Sequence, residues 1–189
     1  MSAPALLVVR HAPVAVEGVC YGQSDVPTLV APEAASGAIF EQLVAEGATV
    51  ARVWTSPWQR AREPAAVLAA RLGVPLVVDA RLSELSFGEW EGRRWADLEE
   101  DARFAGWMKA WQEGAPPGGE RIAELTARVR AWCRDARALG ETALAVTHAG
   151  VVRVLRAEAR GTGYEAVVEE AVTALKVERV GERPGAKAR

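Results

Sequence analysis

Only two histidines occur in the 189 residues, and each stands beside groups suited to holding an anion. His11 follows Arg10 at the end of an apolar run, residues 5–9. His148 closes a second apolar run, residues 142–147, and opens the turn His-Ala-Gly. An imidazole that is neutral near pH 7 can act as nucleophile or proton carrier. The forked guanidinium groups of Arg10 and Arg60 match the oxygens of a phosphate. Taken singly, each arginine reads as a surface or ion-paired residue. Together with the two histidines they make an anion pocket, to which a helix starting after His148 adds its amides and dipole. A carboxyl group beside such a pocket can protonate a leaving oxygen and then deprotonate water. Glu84 is the candidate, with Glu89 and Glu91 in the same segment as competitors.

These side chains must be carried by strand ends. Residues 5–11 read as a strand buried on both faces, ending in charge. Residues 12–30, with Pro13, Gly18, Gly22 and Pro27, form a loop, and 32–46 a helix stopped by Gly47. A second strand is expected over 49–54. Ser56-Pro57 then reads as a capping hydroxyl before a proline at the first helical position, in a helix to about residue 72 that Pro64 should bend. A third strand at 75–79 leads into the loop 80–92 that carries Glu84. Helices are expected over 93–112, 120–139 and 149–159, strands over 142–147 and, once or twice, within 166–180. The alternation predicts a three-layer α/β fold, a mainly parallel central sheet flanked by helices on both faces. In such sheets ligands bind beyond the carboxyl ends of the strands. One domain, residues 1–180, is expected, with 181–189 as a mobile tail.

Composition removes several classes. A net charge of −2 gives no basic excess for a nucleic-acid surface. No apolar segment is long enough for a membrane span, and the first residues lack the pattern of a signal peptide. Two cysteines, Cys20 and Cys133, read as free thiols in a reducing cytoplasm. No HExxH pair or Cys-x-x-Cys suggests a metal, and no cofactor is implied. A Cys-x5-Arg nucleophile is excluded because Val26 and Leu139 stand where arginine is needed. Among the seven tryptophans, Trp54, Trp132, Trp107 and Trp111 read as core, whereas Trp58 and Trp90, close to the chemistry, are candidates for the pocket rim.

Four ordered blocks resemble the histidine phosphatase superfamily, also called phosphoglycerate-mutase-like. They are Val9-Arg-His11, Thr55-Ser-Pro-Trp-Gln-Arg-Ala61, Leu82-Ser-Glu-Leu-Ser-Phe-Gly-Glu-Trp-Glu-Gly92 and Val146-Thr-His-Ala-Gly-Val-Val-Arg153. Residues 18–27 and Pro117-Gly-Gly-Glu120 are similar to the α-ribazole phosphatase branch. The resemblance implies a small-molecule phosphomonoester hydrolase that needs no metal. His11 would be the nucleophile, Glu84 the proton donor, and Arg10, Arg60 and a cationic His148 the holders of the phosphoryl group. Gln23 would touch substrate or close over phosphate. A mutase-type phosphotransferase and a non-catalytic phosphate-binding regulator are the alternatives. Two positions depart from the pattern. Ala12 replaces the usual glycine and would be strained at a positive φ, and Arg121 replaces serine.

Overall fold

The structure, a computed structural model, describes residues 4–181. Five strands, β1 (Leu6–Arg10), β2 (Arg52–Thr55), β3 (Leu76–Val78), β4 (Ala143–Thr147) and β5 (Val177–Val180), form one sheet in the order β3-β2-β4-β1-β5. All neighbours run parallel except β5, which is antiparallel to β1. The helices are α1 (Pro32–Ala45), α2 (Gln59–Leu72), α3 (Trp95–Glu99), α4 (Ala102–Lys109), α5 (Ile122–Ala138) and α6 (Ala149–Arg160). This is the three-layer, mainly parallel α/β architecture expected from the alternation.

Why the central strands are apolar throughout follows from their position. Alternate residues of β1 and β4 face opposite layers, and both layers are covered. Val8, Ala143 and Ala145 pack with Leu125, Val129 and Trp132 of α5 and Val151 and Leu155 of α6. Leu7, Val9, Leu144 and Val146 pack with Ile39 and Leu43 of α1 and Ala61, Ala65 and Leu68 of α2. A polar residue on either face would lose its water without a partner. A third, smaller cluster of Cys20, Trp90 and Leu98, edged by Phe87, Trp95, Phe104 and Trp107, lies under the loops.

Strand order decides where chemistry can occur. β1 and β4 are adjacent and in register, Leu6 opposite Ala143 and Arg10 opposite Thr147. The helix after β1 goes to one face and the helix after β4 to the other, so a crevice opens between them at their carboxyl ends. Residues 11 and 148, distant in sequence, come out side by side there.

Some elements differ from the sequence reading. α2 begins at Gln59 with Trp58 at its N-cap position, and Ser56 does not cap it. The Gln59 amide is met instead by Asp25 Oδ1 at 2.7 Å, from the loop after β1. α2 continues through the buried Pro64. The span 93–112 holds two short helices, because Asp101 accepts from the Arg103 amide and starts α4 afresh. The valine-rich span 166–180 yields one strand, β5, and an isolated bridge between Ala174 and Arg10. Ala12 is not strained: the one non-glycine residue at positive φ among the described residues is Leu175. Arg121, at the N-cap of α5, makes no side-chain cap, and Glu124 accepts its amide at 2.8 Å. Of the tail expected at 181–189, all but Gly181 lies outside the described residues.

Candidate active site

At the crevice the two imidazoles stand with centroids 5.2 Å apart, edge to face. His11 is held by its own backbone, its amide donating to Thr147 O at 2.9 Å. Its Nδ1 lies 2.6 Å from the carbonyl oxygen of Ala12. A carbonyl only accepts, so Nδ1 carries the proton and Nε2 carries the lone pair. Arg60 Nε donates to that Nε2 at 3.3 Å, which agrees with the assignment. Burial, together with Arg60 and Arg10, pushes the His11 pKa down to about 3, against the opposing effect of the Ala12 carbonyl. The ring is therefore neutral and nucleophilic at Nε2.

His148 is wholly buried at the N-cap of α6. Its Nε2 shares a 2.7 Å hydrogen bond with the Ser56 hydroxyl, so the serine read as a helix cap serves the imidazole instead. The Nδ1 atom is buried with no partner among the described residues. Burial, then the nearby Arg60, holds His148 well below the ordinary histidine range. The cationic His148 expected from the resemblance is thus not the state of the free site. A dianionic phosphoryl group acts in the opposite sense and favours the cation.

The two arginines are fixed by backbone carbonyls, and neither forms a salt bridge with a carboxylate among the described residues. Arg60, on the first turn of α2, donates through Nη1 and Nη2 to Ser24 O and Gly22 O, each at 2.6 Å. Arg10 Nη1 donates to Val172 O at 2.9 Å, and its buried Nε has no partner among the described residues.

Glu84 stands across the cavity. Both of its carboxylate oxygens accept from the Gly150 amide at 3.1 Å, and Oε1 also accepts from the Leu85 amide at 2.9 Å. Gly150 is the second residue of α6, so a free amide of the helix start is spent on orienting this carboxylate. A Cβ at Gly150 would lie 2.2 Å from Glu84 Oε1, which explains the glycine.

The cavity enclosed by these groups has a volume of about 220 Å³. Arg10, His11, Arg60, Glu84, Gly150 and Arg153 form its polar wall. Val19, Tyr21, Leu85, Phe87, Trp95 and Tyr164, largely aromatic, also line it, with the Tyr21 ring 5.5 Å from the Arg60 guanidinium. A larger cleft, about 330 Å³, between α5 and α6 offers only the thiol of Cys133 as a nucleophile, and burial pushes that pKa up.

Of the residues singled out in the sequence, His11, Arg10, Arg60 and Glu84 line this cavity, with His148 buried behind His11. Gln23 does not line it. Its Nε2 donates to Glu84 O at 2.9 Å, and its amide donates to Glu91 Oε1 at 2.8 Å. Glu91 also accepts from the Ser24 hydroxyl and the Phe87 amide, so it laces two loops together. Glu89 points away and pairs with Arg103. Trp90 is fully buried against Phe104 and Trp107, and Trp95 takes the rim position instead. Trp58 is half-buried and outside the lining. Sequence reasoning missed Arg153, Tyr164, Ser56 and Trp95. Arg153 had a legible signal, one helical turn beyond Gly150, whereas the others depend on loop paths.

The sequence model of the histidine phosphatase superfamily, branch 1, matches residues 6–187. The chain belongs to this superfamily. Among curated members, it is 34% identical over 116 residues to the putative phosphoserine phosphatase 2 of Hydrogenobacter thermophilus, covering 60% of this chain and 57% of that one. It is 36% identical over 108 residues to the adenosylcobalamin/alpha-ribazole phosphatase of Salmonella typhimurium, covering 55% of this chain and 54% of that one. The alignments thus span little more than half the length of these relatives. A solved structure, the putative alpha-ribazole-5′-P phosphatase of Escherichia coli, superimposes with a TM-score of 0.83 at 23% identity, over 94% of this chain and 90% of that one. At that identity the superposition speaks for the histidine phosphatase fold. Among the described residues, no helix of this superfamily member is long and apolar enough to cross a membrane.

Proposed function

We propose that this chain is a phosphomonoester hydrolase that works through a phosphohistidine on Nε2 of His11. The observation that carries the reading is the neutral His11, its tautomer fixed by the Ala12 carbonyl, in one cavity with the tethered carboxyl of Glu84. In the first step the Nε2 lone pair attacks phosphorus in line, the ester P–O bond breaks, and protonated Glu84 gives its proton to the departing alkoxide. In the second, Glu84 takes a proton from water as the water oxygen attacks phosphorus, the P–N bond breaks, and inorganic phosphate leaves. Dividing one displacement into two lowers each barrier. Arg10, Arg60, His148 and the start of α6 offset the charge on the equatorial oxygens.

This arrangement calls for no metal, since the guanidinium groups supply the positive charge, and activity should survive a chelator. With its pKa held at about 3, His11 stays neutral far into the acid range, which supports an acid-type pH profile. The aromatic lining of Tyr21, Phe87 and Trp95 favours a small substrate with a flat, partly apolar leaving group. That agrees with the α-ribazole-5′-phosphate type of ester suggested by residues 18–27. Free, buried Cys20 and Cys133 fit a reducing cytoplasm.

The test is a fast alkaline quench with ³²P-labelled substrate, after which the labelled protein is challenged with acid. Acid-labile, base-stable label on the wild-type protein, absent in His11→Asn, is expected. No label together with full activity of His11→Asn ends the proposal.

A further inference from the structure

Glu84 sits on a turn whose backbone is held unusually completely. The carbonyls of Arg81, Leu82, Ser83 and Glu84 each accept a hydrogen bond from a side chain. The Leu82 carbonyl takes the buried hydroxyl of Thr147, at the end of β4, at 2.6 Å. The other three are taken by one residue, Arg128 of α5. Its Nη1 donates to Arg81 O at 2.8 Å and Ser83 O at 2.6 Å, and its Nη2 to Glu84 O at 2.9 Å. Its remaining donors go to a single carboxylate, Nε to Glu120 Oε1 at 2.7 Å and Nη2 to Glu120 Oε2 at 2.8 Å. Five hydrogen bonds thus match the five N–H donors of a guanidinium.

Glu120 is itself anchored to the same region, its amide donating to Ser86 O at 2.9 Å. Pro117 O accepts from the Glu89 amide at 2.9 Å, so the segment before α5 and the segment after Glu84 are stitched together. The Arg128 and Glu120 side chains are 18% and 15% exposed and line no part of the cavity, so neither touches a substrate there. A lysine could not replace this geometry, because an ammonium is a point charge with three donors.

We propose that Arg128, oriented and neutralised by Glu120, is the positioning residue that fixes the reach of Glu84 to the leaving oxygen. The inference rests on the reading of Glu84 as proton donor. Catalytic groups must hold their place within a fraction of an ångström, and a displacement of about 1 Å costs up to about 10²-fold in rate. Losing Arg128 frees the Arg81 and Ser83 carbonyls and leaves Glu84 O to Gln23 Nε2 alone, while the carboxylate stays tied to the Gly150 amide, so Glu84 can pivot at its backbone end.

The experiment compares Arg128→Lys and Glu120→Gln with wild type, on an alkyl phosphate and on an ester of an acidic phenol, with folding followed by circular dichroism. Each variant is also combined with Glu84→Gln. Arg128→Lys should lower kcat/KM on the alkyl ester by about 10–10²-fold while changing kcat/KM on the phenol ester less than about threefold, since kcat/KM ends at phosphoryl transfer to His11, where only the poor leaving group needs the proton. In the Glu84→Gln background the same substitution should have almost no further effect, because both act through one group. Should Arg128→Lys fail to fold, Glu120→Gln carries the same comparison. Equal losses on both esters, or effects that multiply with those of Glu84→Gln, overturn the inference alone. Equal losses on both esters in Glu84→Gln itself overturn the proton-donor reading and this inference with it.

Discussion

Replacing Gly150 by alanine separates activity from stability in a way the site geometry specifies. The added Cβ would lie 2.2 Å from Glu84 Oε1, 3.2 Å from Glu84 Cδ and 3.4 Å from Leu125 Cδ2. Carbon and oxygen in contact settle at about 3.3 Å or more, so the carboxylate oxygen must retreat by about 1 Å. It thereby leaves the Gly150 amide that orients it. A shift of that size predicts a loss of about 10²-fold in kcat/KM on an alkyl phosphate. An ester of an acidic phenol, which departs without a proton, should lose less than about threefold in kcat/KM, which does not include the later attack of water. Stability should hardly move. Alanine is favoured over glycine in a helix by up to about 1 kcal/mol, and the deserted amide costs about the same. Steady-state kinetics on the two esters and a thermal melt read all three quantities. A large fall in Tm, or equal losses on both esters, would refute the claim that Gly150 is glycine in order to seat Glu84.

Three further outcomes follow from the same geometry. His11 and His148 are both kept neutral by burial, against an ordinary value of 6.5, so below pH 6.5 the unfolded chain binds protons that the native one refuses. Stability should therefore fall as pH drops from 6.5, by up to about 1.4 kcal/mol per pH unit for each histidine. Urea midpoints at pH 7 and pH 5 should show a shallower loss in His148→Gln, and an unchanged slope would mean that His148 is not held neutral. Ser56→Ala strips the buried Nε2 of His148 of its partner, and should cost about 1–3 kcal/mol in urea unfolding together with a fall in kcat, whereas no loss of either would deny the bond any importance. Arg153 lines the cavity on α6, anchored by the Glu170 carbonyl, so Arg153→Ala should raise KM about tenfold with kcat nearly kept. A fall in kcat with KM unchanged would place Arg153 in the chemistry instead.

Much of this molecule was legible because its signals are local. The apolar runs ending at Arg10 and Thr147 named the two central strands, and the residues just beyond them named the histidines. Alternating strands and helices gave the layers, and Gly47, at a left-handed φ, follows the end of α1 as the sequence reading expected. What proved illegible depends on partners far along the chain. Ser56 looks like a cap until β2 lies beside β4 and brings it to His148. Trp90 looks like a rim residue until α3 and α4 fold over it. Gln23 looks like a ligand contact until Glu84 and Glu91 take its donors. Residue types and order alone pointed to two histidines, two arginines and a carboxyl group gathered beyond strand ends, where the structure has them. Only the tertiary structure decided which nitrogen of His11 is free, what His148 is bonded to, and how Glu84 is held. The last two depend on hydrogen bonds that span 44 to 92 residues, which no local pattern encodes, whereas the His11 tautomer rests on the carbonyl of its neighbour Ala12, a contact set by the path of the loop.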